Sequence, residues 1–165
     1  MADAPAVPQV LLVAAERVHL PEVAAIEQAC FSDPWSEASF RQALDNRTVF
    51  FRVAMDGAGG LVVGYVVAWF AGGEGEIANV AVAPWARGRG IGGLLLDAAI
   101  GAAAERGAEA LYLDVRESNV RARGLYASRD FVEVGRRRRY YRRPAEDAIV
   151  LRRAIGTGAG REAGS

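Results

Sequence analysis

Lysine is absent from this chain. All 20 basic residues are arginine, a pattern that reads first as coding bias, and it excludes a lysine nucleophile or Schiff base. Cysteine occurs once, as Cys30, which rules out an intrachain disulfide and makes a reducing, cytoplasmic setting the expectation. Its context, AAIEQACF, reads as a buried helical thiol. The one histidine, His19, has no ligand partners near it in sequence. It is expected to pack or face solvent, and no metal centre is expected. Long apolar runs are missing too. No window reaches the length of a transmembrane helix, and MADAPAVPQVLLVAAE lacks the basic start of a secretion signal. Excess charge of either sign is absent, with 20 acidic residues against 20 basic ones. The whole chain therefore has no general attraction to nucleic acid or anionic membrane, and neither is expected as a partner.

What is present describes one globular domain. The chain has 165 residues and 52% hydrophobic content, enough for one real core. The domain is expected over 1–153, with a small, polar, disordered tail over 154–165. VLLVAAE (10–16) reads as a strand. PEVAAIEQACF (21–31) has helical spacing, with Pro21 suited to its first turn. SDPWS (32–36) is a turn, and Ser36 is placed to cap a helix over EASFRQAL. Strands follow at 48–55, 61–70 and 76–82, the first two joined by the turn DGAGG. GIGGLLLDAAIGAAAERG is a helix stopped by Gly107. A strand at 110–115, a helix over 118–131 capped by Ser118 or Asn119, and two closing strands complete the order. This is a mixed α/β pattern that opens with hairpins and has a crossover helix in the middle.

The stretch GRGIGG (88–93) satisfies G-x-G-x-x-G through Gly88, Gly90 and Gly93, and Asp114 follows at a spacing close to that of a dinucleotide fingerprint. A dinucleotide fold, however, turns tightly off its strand end. Here Ala83, Pro84, Trp85, Ala86 and Arg87 intervene, and the elements do not alternate strand and helix from the start. The loop is better read from Arg87, as R-G-R-G-I-G entering a helix. Amides at a helix N-terminus bind phosphate, glycines let a pyrophosphate approach, and Arg87 and Arg89 add charge. No G-K-[ST] follows, so a Walker loop is excluded.

R-G-R-G-I-G after EIANVAVAP resembles the R/Q-x-x-G-x-G/A motif of the GNAT superfamily of acetyl-CoA-dependent N-acetyltransferases. FSDPWSEASF (31–40), LYLDVRESN (111–119), GLYASRDF (124–131) and RRYYRRPAEDAIVL (138–151) resemble more specifically the ribosomal-protein-alanine N-acetyltransferase (RimI-type) branch. The likeness spans about residues 8–153. It implies a mostly antiparallel central sheet flanked by helices and split between the fourth and fifth strands. It also implies acetyl-CoA as co-substrate and the N-terminal alanine of a small-subunit ribosomal protein as acceptor. By the same resemblance, the backbone of Val80, Ala81 and Val82 holds the pantetheine arm. Arg87, Gly88, Arg89, Gly90, Ile91, Gly92 and Gly93 hold the pyrophosphate, and Asn119 reaches the coenzyme. Trp35, Tyr140 and Tyr141 line the entry of the acceptor peptide.

The implied reaction is direct attack of an amine on a thioester. An α-amine has a pKa of about 7.7–8.0, against about 10.4 for a lysine side chain, so a modest carboxylate base is enough. Asp114 stands at the position of the general base, where the family usually has Glu. Asp falls short by roughly one C–C bond. A bridging water or Glu76 on the neighbouring strand is the alternative, and the plain reading of Asp114 is a strand-end carboxylate paired with an arginine. Tyr126 stands where the family places the acid that protonates the departing thiolate. Asp130 replaces the glycine that ends this helix, and a left-handed residue is expected there. The run RRRRYYRR (136–143) reads as an exposed strand face or as a surface for an acidic partner. Two other functions remain open: a GNAT enzyme for lysine or small amines, and a coenzyme-binding module without turnover.

Overall fold

A computed structural model describes residues 9–57 and 60–156. The β-branched and apolar segments form most of the seven strands: β1 (Val10–Ala14), β2 (Phe50–Asp56), β3 (Leu61–Ala71), β4 (Glu74–Val82), β5 (Ala110–Arg116), β6 (Val132–Tyr141) and β7 (Glu146–Ala154). The segments of helical period form α1 (Leu20–Cys30), α2 (Glu37–Asp45), α3 (Ile91–Glu105) and α4 (Val120–Ser128). Local chemistry sets many of the ends. Ser36 accepts the Ser39 amide at 3.1 Å to cap α2. Asn119 accepts the Ala122 amide at 3.1 Å to cap α4. Gly107 follows α3 with φ +72°, and Asp130 takes φ +67° after α4, the left-handed stop that asparagine and aspartate tolerate better than most. Two short 3-10 turns, Arg17–His19 and Pro84–Ala86, are additional to the expected elements.

The strands make one sheet in the order β1-β2-β3-β4-β5-β7-β6. Every adjacent pair is antiparallel except β4 with β5, which is parallel. The mostly antiparallel architecture expected from the sequence is the one observed. The expected boundary at 153 is short, however. Ala154 closes β7, and Ile155 is buried in the core with its amide on the Glu109 carbonyl at 2.8 Å. An apolar side chain two residues past the last arginine pair extends the packed chain. Residues 157–165 of the expected tail lie outside the described residues.

Paired residues in neighbouring strands point to the same face, so register and helix contacts assign the two faces. Tyr65 lies edge-on to Phe40 of α2 at 5.4 Å, which puts Tyr65 and its partner Ala81 on the α1/α2 face. Gly64 is on the other face, where an added Cβ would lie 3.1 Å from Leu95 of α3. Leu95 and Leu96 are fully buried, each contributing about 1.5–3 kcal/mol of apolar burial. α4 joins α3 on that side. A Cβ at Gly92 would lie 2.9 Å from Leu125, and Arg129 pairs with Asp97 at 3.3 Å.

Candidate active site

The site begins with a break in the sheet. β4 pairs with β5 only at Glu74, Gly75 and Glu76, opposite Ala110, Leu111 and Tyr112. Just beyond, the β3–β4 register shifts: Val67 faces Asn79 while Ala68 faces Ile77. Ala78 is thus an extra residue, and a bulge of this kind bends its strand. The two parallel strands separate, and a cleft of about 1040 Å³ opens between them, at the upper end of the range for small-molecule sites.

Val80, Ala81 and Val82 line one wall, with Leu113, Asp114 and Val115 opposite. At one end lie Arg87, Gly88 and Gly90, then Ile91, Gly92 and Gly93 in the first turn of α3. Gly88 and Gly90 have φ +82° and +77°, conformations that side chains strain, so glycine is required for the chain to turn here into the helix. Asn119 at the cap of α4 also lines the cleft.

Asp114 and Tyr126 reach the cleft from opposite faces. Trp69 pairs with Glu76 and Glu76 with Tyr112. Trp69 stacks on Trp35, 6.1 Å away, so this row, and Asp114 two residues beyond Tyr112, belong to the α1/α2 face. Tyr126 sits on α4, on the α3 side. It is buried, edge-on to Phe131 at 6.0 Å, and burial pushes its phenol up to about 12. Asp114 is paired with Arg137, Nε to Oδ2 at 3.3 Å. It is therefore both a cleft carboxylate and an arginine-paired one.

The α1/α2 face also carries the aromatic mouth. Trp35, Trp69, Tyr140 and Tyr141 line it, and the Trp69 indole donates to Glu76 Oε1 at 3.0 Å. Burial, and then the nearby Asp114 charge, raise the Tyr141 phenol. Arg116, which the sequence reading did not single out, ties the two rims of the mouth together. Its guanidinium donates to Ser32 Oγ at 3.0 Å, the Arg142 carbonyl at 2.8 Å, the Pro144 carbonyl at 3.1 Å and Glu146 Oε1 at 3.1 Å. It also lies 4.5 Å over the Tyr141 ring. The other Glu146 oxygen accepts the Ser118 amide. Hydrogen bonding from Ser118, and then from Arg116, holds the Glu146 carboxyl below its usual range.

Glu27, also not singled out in the sequence, is the buried support beneath the bulge. It accepts Asn79 Nδ2 at 2.8 Å on each oxygen, the Trp35 amide at 2.9 Å and the Tyr65 hydroxyl. Burial still raises its carboxyl above the ordinary value. One side chain thus fixes the strand at its bend and the turn that carries Trp35. Removing it leaves three donors without their acceptor, and a buried unpaired donor costs about 1–3 kcal/mol. Glu27→Ala is expected to destabilise the fold by about 2–4 kcal/mol, with Glu27→Gln milder because it keeps one acceptor oxygen. Urea unfolding checks this, and a midpoint equal to that of the native chain would contradict the assigned role.

Arg89 stands outside the residues that line the cleft, with its guanidinium 3.8 Å from Asp56. One expectation is corrected. Cys30 is partly exposed, not buried, and lines the cleft at the C-terminal end of α1. Its thiol donates to the Val82 carbonyl at 3.5 Å and accepts from Arg87 at 3.3 Å. Partial burial raises its pKa, which keeps it a poor nucleophile. The other expected site residues all lie on the cleft. Among the described residues, no group of three or more His, Cys, Asp or Glu is placed to hold a metal.

Comparison with known proteins agrees with this geometry. Residues 20–131 match the acetyltransferase (GNAT) family. The ribosomal protein bS18-alanine N-acetyltransferase of Escherichia coli is 33% identical over 138 residues, covering 82% of this chain and 91% of its own. The N-alpha-acetyltransferase RimI of Mycobacterium tuberculosis is 39% identical over 128 residues, covering 75% of this chain and 78% of its own. The crystal structure of the Escherichia coli ribosomal-protein-S18-alanine N-acetyltransferase superimposes with a TM-score of 0.82 at 30% identity, covering 91% of this chain and 96% of that one. Arabidopsis thaliana NAA60 in complex with a bisubstrate analogue shares the fold, with a TM-score of 0.80 at 18% identity and coverage of 90% and 99%. The split sheet, the glycine turn into α3 and these likenesses agree: the chain belongs to the GNAT acetyltransferase family.

Proposed function

We propose that this chain moves an acetyl group from acetyl-CoA to a protein N-terminal α-amine, and that its acceptor is the N-terminal alanine of ribosomal protein bS18. The observation that carries the reaction is the approach of Asp114 and Tyr126 to one gap from opposite faces of the sheet. The acceptor follows from the names of the relatives.

The cleft fits an extended coenzyme. The α3 amides of Ile91, Gly92 and Gly93 hold its pyrophosphate at a helix N-terminus, with Arg87 beside them and Asn119 across the cleft. Arg89 is left out of this set. The backbone of Val80–Val82, freed from β5 by the bulge, takes the pantetheine arm as a strand partner would. When bound, acetyl-CoA supplies the activated acyl group and the thiolate leaving group.

The acceptor enters on the α1/α2 face, between the rims joined by Arg116. Trp35, Tyr140 and Tyr141 contact the peptide with apolar ring surface and hydroxyl donors. Asp114 takes the amine proton, directly or through one water. Glu76 stands on the same face, with one oxygen held by Trp69. Tyr126, across the sheet, gives its proton to the departing sulfur. No covalent enzyme intermediate is needed, in keeping with the raised Cys30 thiol.

The test follows CoA release from acetyl-CoA with two peptides. One carries a free N-terminal alanine and no lysine; the other is N-terminally blocked and has one lysine. Turnover on the first alone is expected. Turnover only on the second would overturn α-amine transfer, and release from neither would favour a coenzyme-binding module.

A further inference from the structure

The arginine run of β6 divides between the two faces, and one of its members bears on the acceptor. Arg136 points to the α3 side, held by Glu117 at 2.8 Å and Asp147 at 3.0 Å. Arg137 points to the α1/α2 side. Along its row of the sheet, Arg137 faces Ala148 and Ala148 faces Arg116; one row away, Gly135 faces Val150 and Val150 faces Asp114. Gly135, Ala148 and Val150 are small, so they make a low floor across β7. The Arg137 side chain crosses it diagonally, with Nε 3.3 Å from Asp114 Oδ2 and 3.5 Å from Oδ1.

The two partners are unequally anchored. The Asp114 side chain is 15% exposed, whereas that of Arg137 is 54% exposed. The Arg137 guanidinium also lies 5.8 Å from the Tyr140 ring. Immediately after Arg137 the β6–β7 register shifts, and Arg139 takes φ +51°. The other guanidinium on this row, Arg116, is pinned by four acceptors. Asp114 thus holds a cation that reaches it from solvent on a flexible stem.

Resting on the reading of Asp114 as the acceptor's base, we propose that Arg137 holds the place of the acceptor ammonium and that the peptide N-terminus binds by displacing it. One cation replaces another at a single carboxylate, so Asp114 is never stripped of a partner during binding. A compact ammonium with three donors takes the position, and Arg137 swings out over Tyr140. No bond is made or broken in the exchange. Its consequence is competition: a fixed guanidinium opposes every incoming acceptor and admits those whose remaining contacts outweigh an exposed ion pair. An uncharged amine, or an amide at the N-terminus, has no charge with which to make the exchange.

The test compares the native chain with Arg137→Ala and Arg137→Met, using acetyl-CoA and the free-alanine peptide. Peptide KM is expected to fall about three- to five-fold, the range of an exposed ion pair, while kcat stays within twofold and the acetyl-CoA KM holds. Methylguanidinium chloride should then inhibit Arg137→Ala competitively against the peptide, more strongly than tetramethylammonium chloride at equal ionic strength. A fall in kcat at constant peptide KM would overturn the proposal and make Arg137 a residue that orients Asp114. An unaltered KM in both variants, or equal inhibition by the two salts, would overturn it too. Absence of native turnover on the free-alanine peptide would instead remove the reading beneath it, and the proposal with it.

Discussion

Tyr126→Phe is expected to lower kcat by about 10²–10⁴, the usual contribution of a positioned acid or base, with the acetyl-CoA KM little changed. The hydroxyl is the only atom lost. The ring keeps its edge-on contact with Phe131 at 6.0 Å, so thermal stability should stay close to native. Burial raises the phenol to about 12, which keeps the acid protonated through the working range. At saturating peptide, kcat of the native chain should therefore climb as the bound acceptor amine deprotonates, near about pH 8, with no descending limb from Tyr126 below about pH 11. The linkage has the same sign: because the folded pKa lies above the unfolded value of about 10, this group's contribution to stability is full below pH 10 and is lost as pH rises through about 12. Stopped-flow CoA release across pH 6–11 would check both parts. A kcat within threefold of native in the variant would sink the assignment of Tyr126 as the acid.

Asp114→Asn is expected to be as damaging, with kcat lower by about 10²–10⁴ and the fold intact. Asparagine keeps the shape but cannot take a proton, and it gives up the ion pair with Arg137. That pair is half-exposed, so its loss is worth at most about 1 kcal/mol of stability. The informative comparison is Asp114→Glu. The longer side chain restores the reach that the family pattern has, so it should retain activity at or above the native level if the base acts directly. If a water bridges the native gap, the longer carboxylate displaces that water and activity falls several-fold. Glu76→Gln should have a much smaller effect, since one Glu76 oxygen is already taken by the Trp69 indole. The reverse ranking, with Glu76→Gln severe and Asp114→Asn mild, would transfer the base to Glu76.

Much of the site was readable because its signals are local. R-G-R-G-I-G declares a glycine turn into a helix within six residues, and the backbone there has the left-handed φ values that only glycine takes easily. Ser36 announces one helix start by its own short side chain, and Ser118 and Asn119 narrow another to two residues. Alternation marked β4 and β5 and placed Asp114 near the end of its strand. The direction of the Arg89 side chain was not legible for an equally local reason: a motif says which residues form the loop, not which way a long side chain leaves it. Cys30 was misjudged because helical spacing indicates a side, whereas burial depends on what another element brings against that side. Here that element is the Val82 end of β4, at the open part of the split.

The sequence by itself determined the element types, the order in which they occur and the glycine loop, which depend on period, cap or spacing over a few residues and are written along the chain. The two groups proposed for proton transfer came from the resemblance of their motifs to the GNAT family. Only the tertiary structure decided that Asp114 and Tyr126 approach from opposite faces, because the face of a residue is set by strand register and by which helix covers it. It also decided the pairs that shape the site: Glu27 with Asn79, Arg116 with Glu146, and Asp114 with Arg137, separated by 52, 30 and 23 residues. Four consecutive arginines look alike in sequence. On a strand they alternate between faces, so that Arg136 meets Glu117 and Asp147 while its neighbour meets the carboxylate proposed as the base. Partners that distant are chosen by the sheet, since electrostatic and hydrogen-bonding energies depend on separation in space, and position along the chain does not encode it.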